Sequence, residues 1–162
     1  MKFLASLIIL ISSLTSFAQE MYPKGCVPWV IHDAMPNLSA KTPIVIMLHN
    51  VSDTELWITH PVEDPSAQAG FSSLLQPGKW SALAFSQTSK SFALQCIESK
   101  PGHEQQISCE SVLAICQWSN SKLPKADSGV FWAAENMDIA PLKAYIERQG
   151  YGLNSSSGKR AS

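Results

Sequence analysis

The stretch PIVIMLHNVSDTELWIT, residues 43–59, decides the fold class. Ile44 to Leu48 is an unbroken apolar run rich in β-branched side chains. Such a run reads as a strand buried on both faces. Asn50-Val51-Ser52-Asp53 interrupts it with side chains that bond their own backbone and favour turns. Glu55 to Thr59 then reads as a second strand, so the pair is expected to form a hairpin.

Outward from this stretch, proline and glycine punctuate the chain at short intervals. Towards the N-terminus, Met21 to Cys26 is a turn-rich lead-in and Met35-Pro36-Asn37 a further turn. On the other side, Pro61 to Gly70 reads as a loop. Phe71–Leu75 and Trp80–Phe85 flank Gln76-Pro77-Gly78-Lys79. Pro at the second turn position fixes φ and Gly at the third accepts φ > 0, which specifies a type II turn. Ser91 to Ile97 reads as one strand with Phe92, Leu94 and Cys96 on a common face. Lys100-Pro101-Gly102-His103 is a second Pro-Gly turn, with Ile107–Cys109 as the returning strand. Ser111 to Trp118 is apolar and reads as a strand, with one helical turn as the alternative. Strands at such intervals predict a mainly β fold, a disulfide-linked β-sandwich of cupredoxin-like or immunoglobulin-like type.

One helix is expected, at the C-terminal end. Asp138 is placed to cap it, Pro141 is tolerated in its first turn, and Gly150 suits its C-terminal exit. Ile139, Leu142, Tyr145 and Ile146 fall on one face at helical spacing. Residues 154–162 are Ser-rich and polar and read as a disordered tail.

Residues 1–18 have the pattern of a cleavable signal peptide. Lys2 is the positive n-region, an apolar core follows, and Ser16-Phe17-Ala18 places small residues at −3 and −1. The apolar stretch is shorter than the roughly 20 residues that span a bilayer. The expectation is therefore an exported protein, periplasmic or secreted, with no stable membrane insertion after cleavage. Its single sandwich domain would occupy residues 19–153. Removing Lys2 from the 12 basic residues leaves a formal charge of about −2 against the 13 acidic ones. With no basic run outside Lys159-Arg160, electrostatic binding of nucleic acid is not encoded.

The four cysteines, Cys26, Cys96, Cys109 and Cys116, all follow the signal segment. An even count in an exported chain reads as two disulfides with three possible connectivities. If the Pro101-Gly102 segment is a hairpin, Cys96 and Cys109 face each other across it, leaving Cys26 for Cys116. If Ser111–Trp118 is helical, Cys116 faces Cys96 instead.

No catalytic constellation stands out. G-x-S-x-G and Gly-rich phosphate loops are absent, and the carboxylates Glu63, Asp64 and Glu135 read as surface groups. His60, Cys96 and His103 follow the His-Cys-His order of a copper site, but no axial methionine follows. Copper binding is therefore the alternative function, and no resident cofactor or metal is expected. Trp29, Trp57, Trp80, Trp118 and Trp132 are numerous for this length. Trp57, Trp80 and Trp132 read as core residues, although exposed tryptophans would be effective partner anchors.

Several of these motifs together resemble the enhanced entry protein B (EnhB) family of intracellular bacterial pathogens. They are Tyr22-Pro23-Lys24-Gly25-Cys26, Asn50-x-Ser52, Trp80-Ser81-Ala82, Cys96, Cys109-x-x-Val112-Leu113-x-x-Cys116-Gln117 and Phe131-Trp132. The resemblance spans residues 21–153, and the four-cysteine framework is its most specific part. The family pattern has Tyr-Pro-Arg after the last Cys-Gln, where this chain has Trp118-Ser119-Asn120. The resemblance implies an exported, non-enzymatic binding or interaction protein of the bacterial envelope. It further implies a link to host-cell entry and an unidentified protein partner. It carries over no catalytic residue, only the cysteine framework.

Overall fold

A computed structural model describes residues 21–61, 71–85, 89–118 and 129–153. The segments expected as a signal peptide (residues 1–18) and a polar tail (154–162), nearly all of the loop expected over Pro61–Gly70 with Glu63-Asp64, and Ser119-Asn120 lie outside the described residues. In chain order the strands are β1 (Val27–Trp29), β2 (Asn37–Ala40), β3 (Ile44–Asn50), β4 (Leu56–Thr59), β5 (Ser72–Leu75) and β6 (Trp80–Phe85). They continue as β7 (Ser89–Ala93), β8 (Gln95–Glu98), β9 (Gln105–Ile107), β10 (Leu113–Trp118) and β11 (Val130–Met137). Two helices complete the order, a single turn α1 (Cys109–Val112) before β10 and α2 (Ile139–Arg148) after β11. The protein is mainly β, with one longer helix at the C-terminal end.

Among the described residues, all strand pairing is antiparallel. One sheet has the order β1-β10-β3-β6-β11, a second β5-β4-β8-β9, and β2 pairs with β7 alone. β3 shows why its sequence lacks alternation. Ile44, Ile46 and Leu48 point into a core shared with Leu56 and Ile58 of β4, Leu75 of β5 and Cys96 of β8. Val45 and Met47 point the other way, into a second core with Trp80, Trp118 and Leu142 and Ile146 of α2. The strand is covered by the second sheet on one face and by a helix on the other, so both faces are apolar. Each such side chain contributes about 1.5–3 kcal/mol on burial.

The expected hairpin over residues 44–59 does not form. β3 lies in the five-stranded sheet and β4 in the four-stranded one. The intervening turn is a corner that carries the chain between sheets. The Pro77-Gly78 segment is a second corner, from β5 back to β6. Its turn is as expected, with the Lys79 N–H donating to the Gln76 carbonyl at 3.0 Å and Gly78 at φ 72°.

Asn50 latches the two corners together. Its backbone N–H donates to the Lys79 carbonyl, and its own carbonyl accepts from Gly78 N–H. Its fully buried side chain donates from Nδ2 to the carbonyls of Thr54 and Leu75, each at 2.8 Å. Oδ1 accepts from the N–H and the hydroxyl of Ser52. On β11, Asn136 has φ 50° at an irregularity in the ladder and accepts from Gln76 N–H through Oδ1. It thereby ties the edge of the first sheet to β5 of the second.

The segment expected as one strand, Ser91–Ile97, is two. β7 pairs with β2, and β8 pairs with β4 and β9, with the break at Leu94, whose N–H goes to the Pro36 carbonyl. Phe92, Leu94 and Cys96 are all buried. The returning strand ends at Ile107 and not at Cys109. Residues 109–112 form the helical turn, and the strand runs only from Leu113. A single apolar segment therefore contains both of the conformations considered for it.

Helix α2 ends at the expected place. The N–H groups of Gly150 and Tyr151 donate to the carbonyls of Glu147 and Ile146, with Gly150 at φ 89°. This is the Schellman arrangement, which needs a left-handed residue at that position. Two expectations for the helix are corrected. Asp138 makes no side-chain cap, because its carboxylate pairs with Lys79 Nζ at 2.8 Å. Tyr145 is exposed, because the buried stripe is carried by Leu142 and Ile146 alone, with Ile139 at its margin.

Candidate functional site

The outer face of the four-stranded sheet carries the site. Register places Leu74, Trp57, Ile97 and Gln106 in one row across β5, β4, β8 and β9. Ser72, Thr59 and Gln95 form the next row on the same face. Their neighbours Leu56, Ile58, Leu75 and Cys96 point inward and are buried, because side chains alternate along a strand. Trp57, Thr59, Ser72, Ile97 and Glu104 line an open groove of about 240 Å³. It crosses from β5 to the β8–β9 turn, roughly 14 Å at the usual strand spacing.

Trp57 corrects the expectation of a core residue. It is 37% exposed, and the other four tryptophans are all more deeply buried. Trp80 stacks on His49 and Trp132 on Phe71, while Trp118 is buried and Trp29 packs partly against the core. Along β4 the side chains alternate, so Trp57 points away from the buried Leu56 and Ile58. Which of the two faces met the core depended on the other sheet.

The residues of the copper alternative are not assembled. The Cys96 sulfur is bonded to Cys109 on the core side of β8. His60 stacks on Phe92 with ring centroids 4.2 Å apart, and its Nδ1 lies 2.7 Å from the Ala93 carbonyl oxygen. His103 is exposed in the Pro101-Gly102 turn. Among the described residues, no three His, Cys, Asp or Glu side chains form a group that could hold a metal ion.

Both disulfides lie away from the groove. One joins Cys26 to Cys116 and pins the lead-in to β10, and the other joins Cys96 to Cys109. The second is not a direct cross-ladder bridge. Cys96 pairs with Ile107, and the turn of α1 brings Cys109 to a Cα separation of 5.3 Å.

His49 was not singled out by sequence. It ends the continuous apolar run of β3 and stacks flat on Trp80, centroids 4.1 Å apart. Among the described residues its Nδ1 is buried with no hydrogen-bond partner. Burial lowers its pKa from 6.5, opposed by a hydrogen bond with the Gly78 backbone. The folded state therefore favours neutral imidazole, whereas the unfolded chain takes up a proton more readily. This contribution to stability is fully present above pH 6.5 and is lost as pH falls towards the lowered folded value. Thermal melts between about pH 7.5 and 5 should show a decline of which part disappears in His49→Phe. That variant keeps the ring stack without the titration, and an unchanged slope would remove His49 as a cause.

No family model, curated protein or solved structure matches the chain.

Proposed function

We propose that this protein is an exported, non-catalytic binding module of the bacterial envelope, with the Trp57 face as its docking surface. The observation that carries the reading is Trp57 itself. An indole exposed in a groove on a rigid sheet offers large contact area at little entropic cost. The remaining tryptophans are committed to packing or stacking inside the fold. Two disulfides fit an oxidising compartment. Among the described residues, no helix is long and apolar enough to cross a membrane. The resemblance to the enhanced entry protein B family supports the same reading and extends it to a role in host-cell entry.

The reading is tested by affinity capture from the envelope fraction of the bacterium that makes the protein. Wild type and Trp57→Asp are compared. The variant is expected to lose its specific partner, with at least about 30-fold weaker capture if Trp57 is a hot spot. Its melting temperature should stay near wild type, because the side chain supports neither core. Equal capture by the two proteins would move the docking surface elsewhere.

A further inference from the structure

We infer that the Trp57 groove receives a basic side chain, arginine or lysine, from a segment of a partner protein. This names the ligand chemistry of the docking surface proposed above and rests on that reading. Among the described residues, the groove lining contains one ionisable group, the exposed carboxylate of Glu104, and no Lys, Arg or His. Glu104 has no ion-pair partner among the described residues. Lys100, the cation in the neighbouring turn, is already paired with Glu98 at 2.7 Å.

The rest of the lining fits the same occupant. No ring among the described residues stacks on Trp57. An indole face is the strongest aromatic acceptor for a cation. Ile97 lies directly across from Trp57 and extends the apolar floor. A long basic side chain can lay its methylene stem on such a floor while its charged head remains near water. The volume of about 240 Å³ falls below the roughly 300–1,000 Å³ of pockets for drug-sized ligands, so it suits one side chain.

A neutral sugar fits less well. The nearest amides, on Gln95 and Gln106, lie outside the groove lining, and the Gln95 amide N–H donates to the Gln106 side-chain oxygen at 2.7 Å. Beside the exposed Trp57 indole the groove carries the Glu104 carboxylate, and together these complement a cation.

The test is a nuclear magnetic resonance titration of the indole N–H of Trp57 in the full disulfide-bonded protein. The probes are N-acetylarginine amide, its uncharged isostere N-acetylcitrulline amide, and maltotriose. Arginine amide is expected to shift the Trp57 resonance saturably. The citrulline probe and the Glu104→Gln variant should each weaken binding about 3-fold. Raising salt from about 20 to about 200 mM should weaken it as well. Glu104 is exposed, so an unchanged melting temperature will show that its variant is folded.

Equal binding of the citrulline probe, no effect of Glu104→Gln, or a Trp57 response to maltotriose alone would overturn the inference. So would no response to arginine amide. If arginine fails while envelope capture still depends on Trp57, the ligand class falls and the docking surface stands. If capture does not depend on Trp57, the docking surface itself falls.

Discussion

Removing the Cys26–Cys116 bridge by the paired change Cys26→Ala and Cys116→Ala is expected to cost about 4–5 kcal/mol of stability. The corresponding removal of Cys96–Cys109 should cost about 3 kcal/mol. The bridges span 90 and 13 residues, and the cross-link that closes the longer loop removes more freedom from the unfolded chain. All four cysteines are buried, so loss of packing adds to both and does not reverse the order. The longer bridge also has a local consequence. The lead-in holds β1 against β10 as a three-residue edge strand, and Pro28 within it has no N–H to donate. Without Cys26, the short ladder and the partial packing of Trp29 and Tyr22 are what hold that edge in place. Denaturant titration of the two paired variants under oxidising conditions measures the difference. Equal losses, or a larger loss from the short bridge, would show that loop closure does not set the order. Against a total stability of about 5–15 kcal/mol, the first variant is expected to be marginal at 37 °C.

Asn50→Ala is expected to cost about 3 kcal/mol, from one side chain that touches no ligand. Asn50 is fully buried, and both its amide hydrogens and both its carbonyl lone pairs are used. Truncation takes the Asn50 donor from the buried Leu75 carbonyl, while the Thr54 carbonyl keeps the Ser52 hydroxyl, and a buried polar group left unsatisfied carries its full desolvation penalty. It also releases the Ser52 turn. Because Leu75 belongs to β5 and Asn50 to β3, the same change loosens the tie between the two sheets. Asn50→Asp should fare no better, since it replaces two donors with a buried charge. Denaturant midpoints at unchanged slope are the measurement. A loss below about 1 kcal/mol would mean that solvent reaches the corner and replaces the missing partners.

Asn50 also shows how far the sequence could be read. Asn50-Val51-Ser52-Asp53 was legible as a turn because the Asn and Ser side chains bond the local backbone, and they do. That the turn is a corner between sheets was not legible. A hairpin and a corner use similar local chemistry, and the partner that separates them, Leu75, is 25 residues away. Ser111–Trp118 met the same limit. Its apolar residues suit a helix or a strand, and the chain adopts a helical turn and then a strand. Asp138 has the identity of a helix cap, yet Lys79, 59 residues distant, takes its carboxylate. For the candidate site, Glu55–Thr59 was legible as a strand, but Trp57 was read as a core residue and lies on the outer face. The groove needed Ile97, Ser72 and Glu104 from three other segments, with spacing that carries no signal of their meeting.

The sequence by itself determined the properties that arise from neighbouring residues. It placed strands by apolar runs, turns by Pro77-Gly78 and Pro101-Gly102, and the helix exit by Gly150. Backbone sterics and local hydrogen bonds act over a few residues and are written in their order. The tertiary structure alone decided which strands share a sheet, which face of β4 looks outward, and hence that Trp57 lies in an open groove. Those outcomes depend on which apolar surfaces cover one another. The hydrophobic effect that drives this burial is non-directional, so no single segment specifies its partner.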